Sequence, residues 1–263
     1  MTKGSTPDTH YSYYSSGRWL EGSTCVPAEM PLDIFVNGVE LATILCTPTK
    51  LNYLVLGFLY SEGVIEGKDE VTSMRVCEED SLADVKLARQ DFPLPQRRTL
   101  GSGCGGGVSF AHEVLNRVDS DIKVAPDDVL LLVKRLNERA ELYRECGGVH
   151  TAALADAGDL IVVAEDIGRH NTLDKILGEC LYSEIETGGR LLIATGRISS
   201  EMLSKAARME VPLVVSRSSP TDRAVALARD AGITLIGYAR GNRLSVYSHG
   251  ERLLRNSKAP VVN

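Results

Sequence analysis

Apolar residues are scattered and unphased over positions 1–26, which predicts a mobile arm ahead of the folded chain. The pattern changes at Leu32. Residues 32–36 and 39–46 read as strands, and Asn37-Gly38 between them suits the positive φ of a type I′ hairpin turn. Thr47-Pro48 then reads as a cap with proline at the first helical position. Leu51, Leu54, Val55, Phe58 and Leu59 form the apolar face of that helix, and Gly63 stops it. Strands over 71–76 and 83–87 complete a small α+β domain expected to span 27–98. Phe92-Pro93-Leu94-Pro95 interrupts regular structure near its end.

The second half is more rhythmic. Pro126 opens a helix with Val129, Leu132, Val133, Leu136, Ala140 and Tyr143 at helical spacing. Strands follow at 160–164, 191–195, 211–216, 233–238 and 243–247. Between them, Asn171 and Ser199 read as helix caps, and Pro220 reads as the start of a further helix. Strands alternating with helices argue a three-layer α/β domain over 109–263, with helices packed on a central sheet.

Function-like residues gather where this pattern changes element. Glu165-Asp166-Ile167-Gly168-Arg169-His170-Asn171 lies between a strand and a helix. So do Thr195-Gly196-Arg197-Ile198-Ser199-Ser200-Glu201 and Ser216-Arg217-Ser218-Ser219-Pro220-Thr221, while Tyr238-Ala239-Arg240-Gly241-Asn242-Arg243 follows the last long strand. Ligands of open α/β sheets bind beyond the carboxyl ends of strands. Loops mixing Gly, Arg and Ser with helix N-termini suit anions, because unpaired backbone N–H groups point outward there. A phosphate-bearing ligand fits; ordinary capping turns with solvated arginines are the other reading. His170 follows Arg169 and two acids, so it either orients a ligand or bonds a local carboxylate.

Composition narrows the classes. The 263 residues carry 29 Lys+Arg against 35 Asp+Glu, a net charge of −6, so broad binding to nucleic acid or anionic membrane has no electrostatic support. No apolar run approaches the roughly 20 residues of a membrane span. Residues 1–22 are rich in Ser, Thr and Tyr without the apolar core of a secretory signal, so a cytoplasmic protein is expected. The six cysteines, Cys25, Cys46, Cys77, Cys104, Cys146 and Cys180, contain no C-x-x-C pair, in keeping with reduced thiols.

Cys104 stands apart. It sits in a Gly-rich loop, 99–108, where Gly101-Ser102-Gly103-Cys104-Gly105-Gly106-Gly107 has five glycines in seven residues. Glycine admits backbone conformations that let a partner approach closely. Arg97 and Arg98 just upstream favour the thiolate, the reactive form, so Cys104 is a candidate nucleophile or sulfur carrier; a linker with an incidental cysteine is the alternative. The same stretch matches G-x-G-x-x-G, but no clear strand precedes it, which argues against a dinucleotide fold. Cys146 and His150 have no second ligand pair at zinc-finger spacing. His150-Thr151-Ala152 lacks the Glu of a zinc deaminase, and no P-C-x-x-C occurs, so no zinc and no other metal site is expected.

Several segments, in order, resemble the FdhD family of formate dehydrogenase accessory sulfurtransferases. They are Glu29-Met30-Pro31-Leu32 with Val36-Asn37-Gly38, Thr47-Pro48 with Leu56-Gly57-Phe58-Leu59 and Glu62-Gly63, then Gly147-Gly148-Val149-His150-Thr151-Ala152. The run continues with Glu165-Asp166-Ile167-Gly168-Arg169-His170-Asn171-Thr172-Leu173-Asp174-Lys175 and Gly196-Arg197-Ile198-Ser199-Ser200-Glu201-Met202. Ser218-Ser219-Pro220-Thr221 and Gly237-Tyr238-Ala239-Arg240 end it.

The resemblance implies a cytidine-deaminase-like α/β domain with a smaller N-terminal domain, and a homodimer. It implies transfer of persulfide sulfur from a cysteine desulfurase to the molybdenum or tungsten bis-(molybdopterin guanine dinucleotide) cofactor, bound as substrate, for formate dehydrogenase. Cys104 matches the first cysteine of the family's C-x-x-C loop. Tyr238, Ala239, Arg240, Gly241, Asn242 and Arg243 match its cofactor-binding stretch; Arg169, His170, Arg197, Ser199, Ser219 and Thr221 complete the expected cofactor-binding set. The chain departs from the family at Gly107, where the second loop cysteine commonly stands. A persulfide on Cys104 remains open to attack by an outside acceptor, but release through a loop disulfide is not. A non-catalytic cofactor chaperone is the contrasting reading, and a metal-dependent nucleotide hydrolase a third that lacks ligands.

Overall fold

A computed structural model describes residues 3–89, 99–100, 108–109 and 117–255. The chain opens with an antiparallel ribbon, β1 (Ser5–Ser15) and β2 (Arg18–Pro27), where a mobile arm was expected over 1–26. Ser16 and Gly17 both take positive φ, 52° and 83°, and so close a tight turn. Tyr14 and Trp19 pair across the strands with ring centroids 5.5 Å apart. Most of the ribbon is exposed, so no apolar periodicity marked it.

β3 (Met30–Val36) and β4 (Val39–Cys46) form the expected hairpin, with Asn37 and Gly38 at φ 50° and 81°. The Asn37 side chain does more than turn: Nδ2 donates to the Arg89 carbonyl at 2.9 Å, and Oδ1 accepts from Leu87 N at 2.9 Å. After α1 (Leu51–Ser61) come β5 (Val71–Cys77) and β6 (Leu82–Leu87), giving a four-stranded sheet of order β4-β3-β6-β5. The start of α1 departs from expectation. Its cap is Lys50, at φ 51° with no side-chain capping bond, and Thr47 is committed to Asp166 and Ile167.

β7 (Thr99–Leu100) and β8 (Val108–Ser109) pair as a two-residue ladder. The helix that periodicity draws from Pro126 to Tyr143 is two helices, α2 (Pro126–Arg139) and α3 (Glu141–Cys146). The cause is a carboxylate distant in sequence: Glu165 accepts from Leu142 N at 2.8 Å and Tyr143 N at 3.0 Å, which starts a new helix. β9 (His150–Ala155), not anticipated, follows, then β10 (Leu160–Asp166) and α4 (Arg169–Ser183). α4 begins at Arg169, so Asn171 lies in its first turn instead of capping it.

The remainder alternates as β11 (Leu191–Ala194), α5 (Ser200–Arg208), β12 (Leu213–Ser216), α6 (Asp222–Asp230), β13 (Thr234–Arg240) and β14 (Arg243–Ser248). Ser199 caps α5 as expected, while α6 starts after its cap Thr221 and not at Pro220. The six strands form one sheet of order β10-β9-β11-β12-β13-β14; β11, β12 and β13 run parallel, and β9 and β14 run antiparallel to their neighbours β11 and β13.

The chain clusters into two compact units that interleave in sequence. The first holds the described residues within Met1–Ala111, Arg139–Thr151 and Ala164–Ser183; the second holds those within His112–Glu138, Ala152–Val163 and Glu184–Asn263. In the first unit α1 packs on α4 backbone to backbone: a Cβ on Gly57 would lie 1.9 Å from the Asp174 carbonyl oxygen, and one on Gly178 would lie 1.8 Å from that of Tyr53. Its core includes Leu32, Ile34, Leu54, Leu59, Ile65 and Val85. The second unit's core runs through Val129, Leu132, Leu136, Ile193, Val215 and Ile236.

Candidate functional site

In the first unit the site is built outward from Asp166, at the end of β10 and wholly buried. Its Oδ1 accepts from Gly168 N and from Asn171 Nδ2, each at 2.8 Å; its Oδ2 accepts from Thr47 N at 3.1 Å and pairs with Lys175 Nζ at 2.6 Å. Lys175, also wholly buried, has the Thr47 and Glu165 carbonyls and Thr49 Oγ1 within 3.2 Å. Thr47 Oγ1 accepts from Ile167 N at 3.1 Å. A buried ion pair persists only where further bonds satisfy both charges, and here they do. The result is a fixed loop, 166–171, that sets Arg169 and His170 in the first turn of α4.

His150, at the start of β9, belongs to the same neighbourhood. Burial lowers its pKa first, the Arg169 guanidinium and His170 lower it further, and Asp166 opposes them. Arg169 Nε and Nη2 and His170 Nε2 are buried atoms. Burial and the Arg169 guanidinium thus both favour the neutral form of the His150 ring. Both acids that precede Arg169 in sequence are structural: Asp166 holds the loop, and Glu165 caps α3 and accepts from Thr151 Oγ1 at 3.2 Å. Thr47 and Lys175 are the residues pattern reading did not assign here. An acidic pair followed by Gly was the only local signal, because both partners come from other elements.

The second unit gathers the loops at the carboxyl ends of its parallel strands. Ile198 N donates to the Ser219 carbonyl at 3.2 Å, and Thr221 N donates to the Ile198 carbonyl at 2.9 Å. Tyr238 N donates to the Ser218 carbonyl at 3.0 Å, and Ser216 Oγ donates to the Gly196 carbonyl at 2.7 Å. Arg197, Ser199, Ser219, Thr221 and Tyr238 are thereby brought to one loop cluster. Ser199 Oγ and Thr221 Oγ1 act as helix caps, accepting from Met202 N and Ala224 N. The Ala239 side chain is in the core, so it offers a ligand only backbone.

Tyr238 is the strained point. It takes φ 52° within β13, where the register with β14 shifts between Gly237 and Arg240. Gly237 is needed beside it, since a Cβ there would meet Pro220 Cδ at 2.9 Å and the Ser218 carbonyl oxygen at 3.1 Å. The bulge leaves Tyr238 39% exposed, with the Arg240 guanidinium 5.8 Å from its ring centroid. Arg240 faces Arg243 directly across the hairpin. Like charges so placed repel, and an anion between them relieves the repulsion. Arg169 and His170 belong to the first unit, the remaining described candidates to the second.

A family model described as FdhD/NarQ matches residues 27–254. The chain belongs to the FdhD/NarQ family. Among its FdhD/NarQ relatives, the "Sulfur carrier protein FdhD" of Geobacillus kaustophilus is 40% identical over 248 residues, 92% of this chain and 94% of that protein. The protein of the same description from Staphylococcus aureus strain MRSA252 is 39% identical over the same shares. A putative formate dehydrogenase accessory protein from Desulfotalea psychrophila has a similar crystal structure, with TM-score 0.80 and 26% identity, covering 95% of this chain and 100% of that one.

The cysteine that the FdhD/NarQ resemblance singles out, Cys104, lies outside the described residues, as do Arg97, Arg98 and Gly107. Among the described cysteines, Cys46 is buried, and burial followed by the Asp166 charge pushes its thiol up to about 12, which makes it inert. No group of three or more His, Cys, Asp or Glu suited to a metal occurs among the described residues. No described helix is long and apolar enough to cross a membrane.

Proposed function

We propose that this chain is a cytoplasmic sulfur carrier for formate dehydrogenase. Cys104 thiolate attacks the outer sulfur of a persulfide on a cysteine desulfurase; the desulfurase thiolate leaves, and Cys104 holds the sulfane sulfur for delivery to the molybdenum or tungsten bis-(molybdopterin guanine dinucleotide) cofactor. Membership of the family and relatives described as sulfur carriers support the role. The observation that carries the cofactor half is the loop cluster of the second unit, where a strained Tyr238 presents an aromatic ring and Arg240 opposes Arg243. A ring for a base and paired guanidiniums for phosphates match a guanine dinucleotide. Arg197 and the α5 and α6 N-termini add to the anion's surroundings, and Arg169 offers a further guanidinium beside His170. We read the second unit as cytidine-deaminase-like on its parallel β11, β12 and β13 joined through α5 and α6, and the working state as a homodimer.

The test is intact-protein mass spectrometry after incubation with a cysteine desulfurase and cysteine. Wild type gains a reducible sulfur adduct that Cys104→Ala does not. Gly107, in place of a second loop cysteine, favours one other reading, a cofactor chaperone without sulfur chemistry. Guanine nucleotide binding without any sulfur uptake by wild type would establish it.

A further inference from the structure

Cys25 and Cys146 lie outside the machinery above, and the fold brings them together within the first unit. Cys25 is near the end of β2, Cys146 is the last residue of α3, and β2 packs against α3. The surrounding contacts fix the approach. Ser5 Oγ, on β1 opposite Pro27, donates to Glu145 Oε1 at 3.3 Å. A Cβ on Gly148 would meet Pro27 Cγ at 3.1 Å, so the chain after Cys146 lies directly against the end of β2. The Cys25 charge also disfavours ionisation of Cys146, in keeping with thiols that share one neighbourhood. Both are half-buried thiols outside any disulfide.

We propose that Cys25 and Cys146 are a redox-active thiol pair that low-molecular-weight disulfides oxidise to a disulfide stapling the N-terminal ribbon to α3. The order of reaction follows from the surroundings. Burial, the Glu145 carboxylate, Cys25 and then Glu165 all raise the Cys146 pKa, so Cys146 is a slow attacking group. Cys25 therefore loses its proton to solvent and attacks the small disulfide, releasing one small thiol. Cys146, losing its proton in turn, attacks Cys25 Sγ in the mixed disulfide and displaces the second small thiol. Two protein thiols are oxidised and one external disulfide is reduced to two thiols. Cys146 leads directly into Gly147 and Gly148, at φ 66° and 68°, and then His150. The staple thus anchors the segment that leads into His150, whatever the fate of sulfur on Cys104.

The full-length protein is incubated with oxidised glutathione, the remaining thiols are alkylated, and intact mass and tryptic peptides are read. Wild type is expected to lose two hydrogens, reversibly with dithiothreitol, and to yield linked peptides 19–50 and 145–169. Fragmentation must place the bond on Cys25 and not on Cys46, which shares its peptide. Cys25→Ser forms no link, and Cys146→Ser stops at one glutathione on Cys25. Separate glutathione adducts on wild-type Cys25 and Cys146 with no linked peptides overturn the proposal, and so does a link made through Cys104. The wild-type map decides without either variant.

Discussion

Lys175 and Asp166 show how a single buried pair serves a site it does not enter. Asp166 keeps three N–H donors besides Lys175, from Thr47, Gly168 and Asn171. Lys175→Met therefore leaves a carboxylate that is still solvated by the protein. Asp166→Asn is worse, because one edge of the amide must point an N–H at groups that are themselves donors. Removing one partner of a buried pair costs about 3–5 kcal/mol, so Asp166→Asn should lose that much in urea denaturation and Lys175→Met less. The double variant should lose less than the sum. Equal losses for the two single variants would mean that the pair's charge, not the loop's N–H groups, is what Asp166 supplies. Beyond the acidic pair followed by glycine, the network was not legible in sequence, because it joins Thr47, 166–171 and Lys175 across elements.

Helix α4 illustrates packing reversing propensity. Glycine in a helix interior is about 1 kcal/mol worse than alanine, so Gly178→Ala should stabilise an isolated helix. Here the new methyl would lie 1.8 Å from the Tyr53 carbonyl oxygen, and α1 backbone cannot swing aside as a side chain does. We expect Gly178→Ala to destabilise by about 1–3 kcal/mol or more, seen as a lower urea midpoint with an unchanged slope. A gain in stability would show that the helices part at little cost. Elements written in local chemistry were readable from sequence: the Asn37-Gly38 turn, the Ser199 cap, the apolar face of α1. Those set by distant groups were not. The α2–α3 break needs Glu165, and the β1–β2 ribbon, mostly exposed, turns on a Ser16-Gly17 pair that apolar periodicity does not flag.

For the whole molecule, the proposed guanine dinucleotide ligand is a polyanion, while the chain carries a net charge of −6. Under that proposal the attraction is local, from Arg197 on the loop after β11 and from Arg240 and Arg243 at the facing ends of β13 and β14. Sequence showed these loops as separate strand ends; only the ladder through Ile198, Ser219 and Tyr238 shows that they meet. Charge-assisted bonds to phosphate contribute about 1.5–3 kcal/mol each, and 1.4 kcal/mol is tenfold in affinity. Arg240→Ala and Arg243→Ala should each weaken guanosine diphosphate binding about tenfold or more by titration calorimetry, with a reduced salt dependence. Arg229→Ala, in the last turn of α6, serves as the control and should leave binding unchanged. Arg243→Ala should also raise the melting temperature of the unliganded chain, because it removes the like-charge pair across the hairpin. A variant that binds less yet melts higher would mark the Arg240–Arg243 opposition as kept for the ligand. Loss of binding that is equal in all three variants would instead indicate diffuse charge, and the loop cluster would not be the cofactor site.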